Sequence, residues 1–154
     1  MHPFNATQPP KLAFALGLAG LVPFVSGALG LWVTPEAWRE RVLEELLSYA
    51  AITLAFLGAI HWGLAMRAEE NSDKAPVQLG LSVIPPLLGW FALLLPLELA
   101  LPMLAAGLMY VWGTEQMVFN DTLPTWYRHL RHQLTAAAVI AVLIGWAATM
   151  FWML

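Results

Sequence analysis

Two ionisable residues, His61 and Glu115, interrupt long apolar stretches that otherwise hold no charge. An ionisable group inside hydrocarbon costs roughly 2.5–3.5 kcal/mol on insertion scales, so each is a functional candidate. His61 lies six residues before Arg67, or about 9 Å below the polar edge of its segment at about 1.5 Å per residue. Glu115 lies six residues before Asp121, on a segment running the same way. The spacing predicts equal depth, with the imidazole donating to the carboxylate. Such a pair has two uses. It can lock two helices through a buried hydrogen bond, or it can pass a proton.

A second set, Arg128, His129, Arg131 and His132, follows the aromatic pair Trp126 and Tyr127. Arg128 lies three residues before Arg131 and four before His132, so the three share a helix face. Cations beside interfacial aromatics suit anionic lipid headgroups, and topology anchoring accounts for them equally well. A metal site would have to join His129 and His132 to His61. No Cys, no HExxH pattern and no second acidic pair supports this, so no metal is expected. A haem held by two imidazoles would need a second His on a facing span, and none is present. No cofactor is expected. The absence of Cys also excludes thiolate chemistry and disulfides. No basic run resembles a nucleic-acid footprint.

These residues sit in an apolar frame. Of 154 residues, 60% are hydrophobic and 11% charged, against about 25% charged in a soluble domain. Too few charges remain to cover a water-facing surface. Five stretches reach the roughly 20 apolar residues needed to cross a bilayer: 12–33, 46–66, 77–95, 99–119 and 134–154. The expected fold is an all-α polytopic membrane bundle, with five transmembrane helices and short loops in a single domain. Residues 35–45 read as a separate interfacial helix, with Thr34 as N-cap and Pro35 at the first helical position. Residues 124–132 read as a second, basic one, either separate or running into the last span, and 67–76 as a solvated loop. The first stretch also has features of a secretory signal peptide. Its apolar run to Val33 exceeds the roughly 7–15 residues of a signal core, which favours a true span.

Five spans put Lys11, Arg67, Lys74, Arg128 and Arg131 on one side and Arg39 and Arg41 on the other. The positive-inside rule then predicts a cytoplasmic N-terminus. Small residues recur every fourth position in the second span (Ala55, Ala59, Gly63) and the fifth (Ala137, Ala141, Gly145, Thr149). Both stripes are expected to bring helices close together. Pro23 and the Pro85-Pro86 pair are expected to break or bend their helices. A weak echo relates LVPFVSG (21–27) to VIPPLLG (83–89), each with Pro four residues before Gly.

The segments SYAAITLAFLGAIHWGLAM (48–66), LSVIPPLLGWFALLLP (81–96) and LPTWYRHLRHQLT (123–135), with GLAGLVPF (17–24), resemble the domain of unknown function 3429 (DUF3429) family. That resemblance, to small multi-span proteins of bacteria with mitochondrial relatives, implies a compact helical inner-membrane protein with distinctive residues His61, Trp62, Gly63, Trp126, Tyr127 and Arg128. It brings no activity with it.

The leading functional expectation is a non-enzymatic membrane component that binds lipid or helps assemble a larger inner-membrane complex; its expected partners are membrane lipids, a second copy of itself or that complex. Two others stay open. One is a small proton-coupled transporter using His61, Glu115 and the proline pair. The other is a membrane enzyme acting on a lipid or quinone headgroup.

Overall fold

The computed structural model describes residues 9–68, 73–119 and 123–153. Among them are five helices: α1 (Lys11–Val33), α2 (Glu36–Met66), α3 (Lys74–Ala92), α4 (Leu97–Met117) and α5 (Thr125–Met153). All five are long and apolar enough to cross a membrane, and no strand occurs among the described residues. The all-α polytopic bundle read from the sequence is the fold. Residues 69–72, in the 67–76 loop, lie outside the described residues, as do 120–122, which include Asp121.

The expected interfacial helix at 35–45 is not separate, and the basic one takes the continuous of its two forms. Residues 35–45 form the first turns of α2, which runs unbroken for 31 residues. Residues 124–132 likewise lead directly into α5. Nothing in either stretch stops a helix, because prolines stand only at the start, where a missing N–H costs no bond. The cap also shifts by one residue. Pro35 is the N-cap of α2, and Thr34 closes α1 while its carbonyl accepts from Arg39 Nε at 3.1 Å.

Helices α1 and α3 run through Pro23, Pro85 and Pro86 without interruption, so none of these is a helix break. Packing explains the tolerance at the pair. Proline at 86 frees the Ser82 carbonyl, and α2 presses against it where Gly58 has no side chain. A Cβ at Gly58 would run into the Ser82 oxygen and approach Pro86 Cδ to 2.9 Å. From the other side, a Cβ at Gly89 would come within 2.9 Å of the Ala51 carbonyl oxygen. Reciprocal glycines thus set the α2–α3 seam, where backbones meet through small residues as helices in lipid tend to do.

The stripe foreseen on α2 is therefore not the one that packs inside the bundle. Ala55, Ala59 and Gly63 are exposed, and nothing lies within 4 Å of a Cβ built at Gly63. The buried face carries Ala50, Ala51, Leu54, Leu57, Gly58, His61 and Ala65. On α5 the expected stripe does pack. Ala141, Gly145 and Thr149 are buried, and a Cβ at Gly145 would meet Leu46 Cδ2 at 2.8 Å.

Helix α2 is the central element, packed against α1, α3 and α4, while α5 closes the bundle against α1 and α4. Leu31, Leu54, Leu101, Leu104 and Val142 are fully buried between them. At the end holding the start of α2, Trp146 Nε1 donates to the Glu98 carbonyl at 2.9 Å, and the Arg39 guanidinium lies 4.7 Å from the Trp152 ring centroid. The C-terminal end of α2, that of α4 and the start of α5 meet at the opposite end.

Candidate functional site

Glu115 sits in the last turn of α4 and is completely buried. A carboxylate there faces the unfavourable end of its own helix dipole and has lost its water, so it needs donors from elsewhere. Helix α5 supplies two of them. Tyr127 and Arg131 are four residues apart and so present one face to α4. Arg131 Nε donates to Glu115 Oε2 at 3.0 Å, and Tyr127 Oη donates to Oε1 at 3.2 Å.

His61 of α2 comes to the same carboxylate. Its Nε2 lies 3.5 Å from Oε1, with both side chains buried. The expected juxtaposition is present, but the expected hydrogen bond is not. Neither ring nitrogen of His61 has a hydrogen-bond partner among the described residues, and the ring instead packs on Phe119, with centroids 4.9 Å apart. The dominant partner of Glu115 is Arg131.

Arg131 therefore departs from the headgroup role read from the sequence. It is 7% exposed and turned into the bundle, because a buried carboxylate offers a guanidinium more than the polar edge does. The rest of that set divides. His129 and His132 are exposed, and His132 packs against Trp112 at 5.5 Å between centroids. Arg128 is half-buried, with Nη2 3.4 Å from Thr125 Oγ1. Trp62 and Gly63 are exposed on α2. Among the described residues, no three His, Asp or Glu side chains come together as metal ligands.

Beside this cluster lies a feature that one-dimensional reading missed. A cavity of about 490 Å³ runs between α1, α2 and α5, with Leu108 of α4 at its floor. That volume falls within the roughly 300–1,000 Å³ of small-molecule pockets. Leu16, Phe24, Ile52, Phe56 and Leu57 make its walls largely apolar, and Trp126, Tyr127 and Arg131 form one end. Leu16, Ile52 and Phe56 are each more than 60% exposed, so the cavity opens sideways between α1 and α2. At the far end, Tyr49 Oη donates to the Gly20 carbonyl at 2.9 Å, and the Tyr49 ring meets Phe24 edge-on at 5.1 Å. Gly17 and Gly20 are the signal that could have found it. Two glycines one turn apart leave a shallow face on α1 where a leucine would fill space.

The chain is 36% identical to Transmembrane protein 69 of Xenopus tropicalis over 140 residues, covering 86% of this chain and 53% of the frog protein. It is 31% identical to Transmembrane protein 69 of Mus musculus over 137 residues, covering 88% of this chain and 55% of the mouse protein. The chain thus spans about half the length of the curated relatives it matches. No solved structure matches it. The family described as "Protein of unknown function (DUF3429)" matches residues 9–147, nearly the whole chain in order. The chain is a multi-pass membrane protein and belongs to the DUF3429 family.

Proposed function

We propose that the protein is a non-enzymatic membrane component that holds a lipid-class molecule in the cavity between α1, α2 and α5. The cavity itself carries this reading. It opens sideways, where a bilayer would supply acyl chains, and its polar groups gather at one end, as an amphipathic occupant requires. Leu16 and Ile52 at the mouth would face lipid, so the occupant need not cross water to enter.

The reading takes the membrane to be the bacterial inner membrane, with the N-terminus in the cytoplasm. The excess of Lys and Arg on the side of Lys11, Arg67 and Lys74 supports this orientation. The polar end of the cavity then lies toward the cytoplasmic headgroups. Assembly into a homo-oligomer or a larger complex is the other form of the same reading. It draws on the smooth exposed stripe of Ala55, Ala59 and Gly63, a surface on which a further helix could seat.

A proton-coupled carrier is the second reading, favoured by one observation. His61 is buried beside Glu115, and neither ring nitrogen has a hydrogen-bond partner among the described residues. Against it, both oxygens of Glu115 already accept hydrogen bonds, from Arg131 and from Tyr127.

Native mass spectrometry from gentle detergent tests the leading reading. The wild-type protein should carry a bound lipid. Gly20→Leu, which points a side chain into space bounded only by Tyr49 Oη at 3.8 Å, should shed that lipid while keeping its helical circular dichroism. A wild-type protein that carries no lipid above the Gly20→Leu level would refute it.

A further inference from the structure

We propose that the cavity is a blind slot for one acyl chain of a two-chain bilayer lipid, drawn from the leaflet at the end where α5 begins. The headgroup and the second chain stay outside. This rests on the reading of the cavity as a lipid site, and adds to it the number of chains, their length and the leaflet.

Three helices give the slot one height. Its lining runs from Ala13 to Phe24 on α1, from Tyr49 to Ile60 on α2 and from Trp126 to Ala138 on α5. At about 1.5 Å per residue each interval rises about 16–18 Å. A hydrocarbon layer is about 30 Å thick, so the slot is about as tall as one leaflet.

The end away from Trp126 is closed. There Tyr49 Oη donates to the Gly20 carbonyl, and the Tyr49 ring meets Phe24, which ties α1 to α2. Beyond that tie the helices leave no space. A Cβ at Gly27 would stand 3.2 Å from Leu46 Cβ, and one at Gly145 would stand 3.3 Å from Leu31 Cδ1. Ala28 and Val142 are buried in the same cluster. The first half of α1 differs. None of residues 11–20 is buried, so α1 stands off α2 and the slot opens sideways into lipid. The closed end lies near mid-depth, where a bilayer holds chain ends, and the other end lies by the interfacial aromatics Trp126 and Tyr127. A chain therefore points its methyl end toward Tyr49.

Width and length follow. A volume of about 490 Å³ over a height of about 16 Å gives a mean section of about 30 Å². Packed apolar chains stand about 4.0–4.5 Å apart, or about 20 Å² each, so the slot takes one chain and not two. Carbon–carbon bonds of about 1.52 Å meeting at about 111° advance an extended chain about 1.25 Å per carbon, so the slot is full at about 13 carbons. The sideways mouth at Leu16, Ile52 and Phe56 lets the second chain remain in the bilayer.

The test places the full chain in phosphatidylethanolamine–phosphatidylglycerol vesicles with a trace of phosphatidylcholine. One chain of that phosphatidylcholine carries a diazirine at its third, twelfth or seventeenth carbon. After irradiation, mass spectrometry identifies the labelled residues. The third-carbon probe should label Ile60 or Trp126, and the twelfth-carbon probe Tyr49 or Leu21, all of which line the slot and are half-buried. The seventeenth carbon, which the slot cannot hold, should label Tyr49 and Leu21 about fivefold less than the twelfth and return to the exposed Val22 and Ile140. Gly20→Leu should cut labelling of the slot about tenfold, as one side chain added to a filled space allows, and leave Val22 and Ile140 unchanged. Ile60→Trp, on the facing wall, should do the same for Tyr49 and Leu21 if Gly20→Leu does not insert. Equal labelling of both ends by all three probes, or the reverse order, overturns the inference while the cavity remains a lipid site. If no probe labels Tyr49, Leu21 or Ile60 more in the wild type than in the variants, the cavity reading falls and this inference with it.

Discussion

Replacing Arg131 by Met while Glu115 stays should destabilise the protein more than any other single change at the cluster. The two groups are bonded at 3.0 Å, with Arg131 7% exposed and Glu115 fully buried. Removing one member of a buried ion pair leaves the other charged and uncompensated, a loss of roughly 3–5 kcal/mol. Glu115→Gln should cost a similar amount, because it strands the guanidinium and weakens the bond from Tyr127 Oη. The double variant should fall well short of the sum. A neutral pair of similar volume is often as stable as the ion pair it replaces, so the expected coupling is about 2 kcal/mol or more. The assay is reversible SDS unfolding of detergent-solubilised protein, followed by circular dichroism, for all four members of the cycle. Single variants that each cost under about 1 kcal/mol and add without coupling would refute the ion pair as the bond that holds α4 to α5.

The remaining expectations are smaller in scale. His61→Leu should cost less than about 1.5 kcal/mol by the same unfolding assay, because the imidazole loses packing on Phe119 but no hydrogen bond; a cost equal to that of Arg131→Met would show that His61 bonds Glu115 directly. Gly58→Ala should destabilise the α2–α3 seam by about 1–3 kcal/mol, since its Cβ meets the Ser82 carbonyl. Gly63→Ala on the same helix meets nothing and should be neutral or stabilising by up to about 1 kcal/mol; equal losses at both positions would contradict the seam. Reporter fusions at the two termini should report opposite faces of the membrane, with the N-terminal reporter inside; both on one face would overturn the five-span layout.

The bundle was readable because its signals are local. Each span is an unbroken apolar run of the length a bilayer demands, and no tertiary contact is needed to see it. The equal depth of His61 and Glu115 followed from counting residues along two parallel helices. Counting gives depth but not rotation about the helix axis, and the errors come from there. The three-residue spacing puts Arg131 at the polar edge with Arg128, yet the first faces the carboxylate and the second is only half-buried. A rule of charge balance would have done better. A lone acid inside a span needs a cation, and Arg131 was the one within reach of the next helix. The α2 stripe failed for the same reason. Small residues occur on two of its faces, and only the Ser82 carbonyl freed by Pro86 selects the face bearing Gly58. The cavity is a property of three helices together and has no one-dimensional signature beyond Gly17 and Gly20.

The length of α2 has one more consequence. At about 1.5 Å per residue, 31 residues make a rod of about 46 Å, against a hydrocarbon layer of about 30 Å. Its surplus lies at the start, where Glu36, Glu40, Arg41, Glu44 and Glu45 are exposed. Helix α5 carries its own surplus at the opposite face, around His129 and His132. Each overhang is hydrophilic, and dragging either into acyl chains would be expensive, so the molecule is pinned vertically like a bolt with a head at both ends. Sinking or rising by a single turn is resisted from both directions, which keeps the Arg131–Glu115 pair at a fixed height whatever the local thickness of the lipid.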